Sequence, residues 1–306
     1  MKAYAYAAFG DSGVIQEREV DMPSPKGSEA LVRIAATTVN PIDMKVRSGA
    51  MQKIMPVSLP YIPGSDVAGI IEAVGPDVSR LKVGDEVFAS TFGGTYAEYV
   101  VLKEEKAVAI PVNLSLNEAA ALAVPLVTAW TFLVEGAQLQ AGQKVLIHGA
   151  AGAVGGVMVQ MAKALDAYVI GTASGNGLQQ ASSFGANEVI DYKTGDFTKL
   201  VKDADVVIDL VGGETQTKSF EVVKEGGLLL SAVMPPSQDL AQKHHIRAMF
   251  ISSEPSYKKL EFGKKLVEEG KIKAQIARTM PLADAAKAQD LVSAGGLNGK
   301  VVLVVG

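Results

Sequence analysis

The chain has 306 residues, 48% of them hydrophobic and 20% charged, enough for two ordinary domains with sizeable cores. Its formal net charge of −4 argues against nucleic acid or an anionic membrane as a partner. It holds no cysteine, which excludes disulfides and thiolate-bound zinc and is compatible with a reducing cytoplasm.

The opening "MKAYAYAAFGDSG" has too short an apolar stretch for a secretory leader and reads as a first strand. From Met1 to about Val112, short β-branched runs alternate with Pro, Gly, Asp and Ser clusters at the spacing of an all-β barrel. The strands expected are Glu29–Val39, Asp66–Gly75, Asp85–Ser90 and Tyr96–Val101. Ser115 then caps the alanine-rich helical stretch "SLNEAAALAVPLVTAWTFLVEG". Its most apolar part, Ala119–Val134, is short for a membrane span and contains Pro125, so no membrane segment is expected.

After Ala141, strands and helices alternate. "KVLIHG" is followed by a helix over Val154–Leu165, the strand Ala167–Ser174, a helix near Leu178–Phe184 and the strand Asn187–Tyr192. Next come the strand Ala204–Gly212, a helix around Thr215–Val223 and the strands Gly226–Val233 and His244–Ser252. Continuously apolar strands alternating with helices predict a doubly wound parallel sheet covered on both faces. The amphipathic helix Tyr257–Gly270, a further helix and a final strand "KVVLVV" close the chain.

The turn "HGAAGAVGG" follows a predicted strand and opens a helix, the setting of a dinucleotide-binding fingerprint. Its frame reads Ala150-x-Gly152-x-x-Gly155. Gly152 would admit a pyrophosphate to the backbone, and Gly155 would let the helix pack closely. The residues Ala151, Gly152, Ala153, Val154 and Gly155 are therefore candidate cofactor contacts, with the free N–H groups of the helix start facing phosphates. No acid lies between Ala167 and Asn187 to bind a ribose 2′-hydroxyl. Thr172, Ser174 and Asn176 offer neutral donors there, and Tyr192 and Lys193 end the next strand, so the expected cofactor is NADPH.

Several further motifs occur in order: "NPIDMKVRSG" (Asn40–Gly49), "PYIPGSDVAGIIEAVGPDV" (Pro60–Val78), "VGDEVFA", "GGTYAEYV", "PLVTAW" (Pro125–Trp130), "FGANEVIDY", "DLVGGET" and the closing "GKVVLVV". In these the chain resembles the zinc-free, zeta-crystallin-like quinone oxidoreductase branch of the medium-chain dehydrogenase/reductase superfamily. The resemblance implies a GroES-like β-barrel domain, residues 1–118 completed by 256–306, and a Rossmann domain over 119–255. It also implies an enzyme that reduces quinones or α,β-unsaturated carbonyls by direct hydride transfer. Carrier-linked enoyl reduction and a non-catalytic dinucleotide- or RNA-binding role are the alternatives.

The same resemblance bears on the metal. Zinc-dependent relatives carry cysteine where this chain has Asn40 and a histidine–glutamate pair where it has Ser65 and Asp66; asparagine and serine are poor zinc ligands, and the four-cysteine structural lobe of those relatives is missing. The histidines are His148 at the glycine turn and the adjacent His244 and His245, which on a strand would face opposite ways. No metal is expected. For Asn40 and Asp43 two roles are open: a turn with Asp43 capping a short helix, or, as the resemblance implies, a place beside the nicotinamide in the interdomain cleft. Asn40, Lys45 or a backbone amide would stabilise a developing oxyanion. Met44 and Lys45 stand where many quinone reductases have an aromatic residue, a pattern nearer to the alkenal and enone reductases. Thr128 is implied to touch the cofactor, although Pro125 and Trp130 would also suit a kinked, buried helix. Relatives commonly pair through the strand His244–Ser252, which at a sheet edge would give a homodimer.

Overall fold

A computed structural model describes all residues, Met1–Gly306. The chain begins with β1 (Lys2–Ala5), β2 (Gln16–Glu19) and β3 (Glu29–Thr38), then the short helix α1 (Pro41–Arg47). It continues through β4 (Asp66–Val74), β5 (Glu86–Ser90), β6 (Tyr99–Lys103) and β7 (Ala107–Ala109) to the helix α2 (Leu116–Trp130). Alternating elements follow: β8 (Lys144–His148), α3 (Ala153–Ala164), β9 (Tyr168–Ala173), α4 (Asn176–Ser183) and β10 (Glu188–Asp191). Then come α5 (Phe197–Leu200), β11 (Ala204–Asp209), α6 (Gly213–Ser219), β12 (Val223–Ser231), α7 (Gln238–Lys243) and β13 (Arg247–Phe250). The last elements are α8 (Tyr257–Glu268), β14 (Ile276–Pro281), α9 (Ala285–Ser293) and β15 (Lys300–Val304).

Two compact units result. One comprises Met1–Val124, Pro255–Glu268 and Ala274–Gly306; the other comprises Pro125–Glu254 and Glu269–Lys273. The first is built on a sheet of order β14-β15-β3-β4-β5-β7, with β6 also paired to β3, and its pairings are antiparallel except β14 with β15. Alternate residues of its strands, Val32, Ile34, Val67, Ile71, Val87, Val100 and Leu102 among them, turn inward to a barrel-like core. The GroES-like barrel expected from the resemblance is this unit.

The second unit is a six-stranded sheet of order β10-β9-β8-β11-β12-β13, parallel throughout. Strand order runs one way from β8 through β9 to β10 and the other way through β11, β12 and β13. The chain therefore reverses direction between β8 and β11, and ligands of doubly wound sheets bind at the carboxyl ends of strands at that reversal. Leu146, Ile170, Val207 and Leu229 fill the core beneath, which explains why these strands read as unbroken apolar runs.

Three expectations need correction. The strand expected over His244–Ser252 is only Arg247–Phe250, because His244 ends α7 and His245 takes the left-handed conformation at φ 53°. The helix expected over Thr215–Val223 stops at Ser219, since Val223 already begins β12. The stretch Ala119–Val134, read as short for a membrane span, is part of a longer apolar helix, as the sequence "SLNEAAALAVPLVTAWTFLVEG" suggested. With its π-helical continuation it runs from Leu116 to Gly136, 21 residues whose most apolar window has a mean hydropathy of 1.6, and by length and composition it is long enough to cross a bilayer. Buried inside the folded protein over 72% of its most apolar window, it is a core helix here. Its start is a capping box: Ser115 N–H donates to Glu118 Oε2 at 2.9 Å and Glu118 N–H to Ser115 Oγ at 3.4 Å.

Candidate active site and cofactor cradle

The cradle lies at the end of β8, where the sheet reverses. Gly149 sits at φ 76°, a conformation glycine adopts without strain, so the tight turn is made one residue before the Ala150 of the sequence frame. Ala150 N–H bonds to Thr172 O at 3.0 Å, and Gly152 N–H to Gly149 O at 3.0 Å. A Cβ on Gly155 would lie 2.1 Å from Gly149 O, so Gly155 is required for α3 to begin against the turn. Gly152 differs: its backbone is ordinarily extended (φ −72°, ψ 169°), and an added Cβ would meet only Gly149 O, at 3.3 Å. Gly152 caps α3 without a side-chain bond, and the N–H groups of Ala153, Val154 and Gly155 have no acceptor in the chain. Ala151 lies buried within the turn. Three unpaired N–H groups at a twelve-residue helix start, beside open space, suit the pyrophosphate of a dinucleotide.

Beneath the turn, His148 bridges strand and helix. Ser219 Oγ donates to Thr215 O at 2.7 Å, so it accepts from His148 Nε2–H at 3.0 Å; His148 Nδ1 then accepts from Thr172 Oγ1 at 3.1 Å. Burial pushes the imidazole down to about 4, which fits a neutral ring with one donor and one acceptor. Thr172 was expected on the cofactor side. It is buried with its hydroxyl hydrogen engaged by His148, which takes it out of the set of free donors. Ser174 and Tyr192 meet just beyond the ends of β9 and β10, Ser174 Oγ donating to Tyr192 Oη at 2.8 Å. Asn176 opens α4 and is exposed; Thr128 is half-buried on α2.

In the other unit, Asn40 ends the loop after β3 and starts α1, with Pro41 at the first helical position. Asp43 Oδ2 accepts Asn40 N–H at 2.8 Å, and Asp43 Oδ1 accepts Gly64 N–H at 3.3 Å. The helix-capping role left open by the sequence is therefore filled by Asp43. Lys45, on the same helix, is exposed and not part of this buried group.

Around Asn40 the structure assembles a group that sequence reasoning missed. The Lys300 ammonium, 3% exposed at the start of β15, donates to Thr38 Oγ1 at 2.9 Å, Asn40 Oδ1 at 2.5 Å and Asp66 Oδ2 at 2.9 Å. Asp66, fully buried, also accepts from Thr38 Oγ1 at 2.5 Å and Asn40 Nδ2 at 2.7 Å on Oδ2, and from Val124 N–H at 2.6 Å on Oδ1. Val124 directly precedes Pro125, whose ring disturbs the helical bonding there. A buried carboxylate with four donors and an ammonium with three acceptors are each fully satisfied. The signal was present in "GKVVLVV": a lysine opening an otherwise apolar, buried strand.

Asp43 stands beside this pair. Burial pushes its carboxyl up to about 7; Asp66 reinforces the rise, while the Asn40 and Gly64 N–H groups and Lys300 oppose it. The native pKa lies above the ordinary value, so between about pH 4 and pH 7 the folded chain holds a proton that the unfolded chain releases. Stability from this group is full below about pH 4 and falls as pH rises to about 7, by about 4 kcal/mol in all. An Asp43→Asn variant lacks this slope. In urea titrations across that range, the stability of the variant relative to wild type is expected to rise with pH. A constant difference would show that Asp43 keeps an ordinary pKa.

These features define a class, the medium-chain dehydrogenases and reductases. Residues 26–112 match the alcohol dehydrogenase GroES-like domain and residues 184–303 the family described as zinc-binding dehydrogenase. The mouse quinone oxidoreductase is 33% identical, with 100% of this chain and 98% of the relative covered. The 2-methylene-furan-3-one reductase of Solanum lycopersicum is 36% identical over 99% of this chain and 79% of its own. The crystal structure of Escherichia coli quinone oxidoreductase complexed with NADPH superposes with a TM-score of 0.91 at 28% identity, covering 99% of this chain and all of that one. The chain belongs to the quinone oxidoreductase family of that superfamily.

Proposed function

We propose that this protein is an NADPH-dependent reductase of quinones and α,β-unsaturated carbonyls that works without zinc. The observation that carries the metal-free reading is the Lys300 ammonium held by Thr38, Asn40 and Asp66, where a zinc-binding relative would need ligands. No three His, Cys, Asp or Glu side chains are grouped to hold a metal ion. NADPH, when bound, supplies a hydride. A quinone that takes the hydride carries the negative charge on oxygen and gains one proton from solvent, giving a hydroquinone. An enone takes the hydride at its β-carbon, carries the charge on oxygen as an enolate, and gains a solvent proton at its α-carbon, giving a saturated ketone.

The N–H groups of Ala153, Val154 and Gly155, beside Ala151 and Gly152, would hold the pyrophosphate. Tyr192 Oη, held by the Ser174 hydroxyl with its own hydrogen left to donate, and Asn176 would face the 2′-phosphate, and Thr128 the nicotinamide end. The tomato relative, named for an exocyclic enone, supports activated alkenes alongside quinones. Assays of NADPH oxidation with p-benzoquinone and with methyl vinyl ketone, with and without a chelator, test the proposal. Turnover of at least one acceptor, unchanged by the chelator, is expected; none with either, or loss to the chelator, would sink it. A Ser174→Ala/Tyr192→Phe variant should lose about tenfold or more in NADPH affinity while binding NADH as before, since bonds to a charged phosphate are worth about 1.5–3 kcal/mol each. A cysteine-free chain suits a reducing compartment such as the cytoplasm.

The assembly proposed is a homodimer through β13. Ile251 N–H bonds inward to Ser231 on β12, so the N–H groups of Ala248 and Phe250 face outward by alternation. Gln238 Nε2 already covers Ala248 O at 3.1 Å, whereas Phe250 is 45% exposed. Light scattering is expected to give twice the chain mass, and Phe250→Pro, which removes only an outward donor, the chain mass. A wild-type monomer at all concentrations would defeat the assignment.

A further inference from the structure

Lys300 has three donors and no acceptor, so the Asn40 amide must turn its oxygen toward it. The amide nitrogen then faces Asp66 Oδ2 and donates one hydrogen there, at 2.7 Å. The second Nδ2 hydrogen has no acceptor in the folded chain. Every other hydrogen of the group is engaged: Lys300 uses all three of its own, Thr38 gives its hydroxyl hydrogen to Asp66, and Val124 N–H goes to Asp66 Oδ1. The amide is thus held at both ends, with one donor unassigned, in surroundings dry enough that Asn40 is only 4% exposed.

We infer that Lys300 is a positioning residue, which fixes and polarises the Asn40 amide so that its remaining Nδ2–H meets the carbonyl oxygen of the acceptor as negative charge develops. This rests on the reductase reading above and extends it to a residue far from the glycine turn in sequence. An ammonium on Oδ1 draws electron density from the amide and offsets what the Asp66 carboxylate returns through the first N–H, so that without Lys300 the second N–H would be the weaker donor. A donor already aligned needs no reorganisation when the oxyanion forms. Lys300 itself never touches the acceptor, having no hydrogen left to give.

The test has an arm that needs neither cofactor nor turnover. In ¹⁵N-labelled protein without NADPH, the Asn40 side-chain amide signal, assigned by its loss in Asn40→Ala, is expected to move upfield and exchange faster in Lys300→Met. An unchanged signal overturns the inference. In the kinetic arm, p-benzoquinone reduction by wild type is the control; its absence would count against the reductase reading and leave the amide measurement to judge Lys300. Asn40→Ala is expected to lower kcat about a hundredfold, the effect of one oxyanion donor. Lys300→Met is expected to lower kcat at least about tenfold with the KM for p-benzoquinone and the Kd for NADPH unchanged, the loss a misaligned group produces. Lys300→Gln, which can still donate to Oδ1, should recover part of it. In the Asn40→Ala background Lys300→Met should add nothing; multiplied effects would show that Lys300 acts elsewhere. Should Lys300→Met fail to fold, Lys300→Met/Asp66→Asn removes both charges and takes its place in every measurement, with the same results expected and the same results overturning the inference.

Discussion

Replacing Gly152 by valine is expected to raise the Kd for NADPH at least about a hundredfold, roughly 2.7 kcal/mol, while the protein stays folded. At φ −72° and ψ 169°, Gly152 has a backbone any residue adopts, and its only close neighbour is Gly149 O, which needs to yield a few tenths of an ångström. The valine side chain would grow into the open space over the N–H groups of Ala153, Val154 and Gly155, where the pyrophosphate is proposed to lie. Gly155→Ala is the opposite case. Its Cβ would stand 2.1 Å from Gly149 O, so the turn itself must give way and stability falls together with binding. Cofactor titration by fluorescence and thermal denaturation of both variants separate the two roles. A folded Gly152→Val protein that binds NADPH as wild type does would mean that this turn joins a strand to a helix and does nothing more.

Different parts of the molecule were legible in the sequence for different reasons. Parallel strands buried on both faces, such as "KVLIHG" and "ADVVIDLVG", leave an apolar signature that survives without any alignment. Helix α7 leaves none: six mostly polar residues, capped by Ser237, turn the chain just before β13, and its last turn takes up His244. Asn40 and Asp43 were identifiable as polar residues around a proline, yet their environment was not. Thr38, Asn40 and Asp66 meet Lys300 from 262, 260 and 234 positions away; a lysine opening an apolar strand marks a buried charge, but local pattern does not say which residues meet it. Thr172 shows the converse limit. Its place at the end of β9 was read well, but the direction of its hydroxyl depended on His148, and a strand's alternation could be set against a phosphate only once that partner was known.

The second large effect is expected at Asp66. Asp66→Ala would strip Lys300 of its only carboxylate partner and leave Val124 N–H and Asn40 Nδ2 without acceptors. Removing one member of a buried ion pair typically destabilises by about 3–5 kcal/mol, because the remaining charge stays desolvated and unpaired. Asp66→Asn distinguishes charge from shape. Its amide oxygen, placed where Oδ2 lies, can still receive Thr38, Asn40 and Lys300, but its NH₂ group would then face Val124 N–H, donor against donor. An intermediate loss is expected. Lys300→Met/Asp66→Asn removes both charges, and it should be more stable than Asp66→Ala despite carrying two changes, because no isolated ion is left in the core. Urea denaturation at neutral pH orders the three variants. If Asp66→Ala proves as stable as wild type, the group around Lys300 is open to water, and neither its charge balance nor the fixed orientation of Asn40 follows from it.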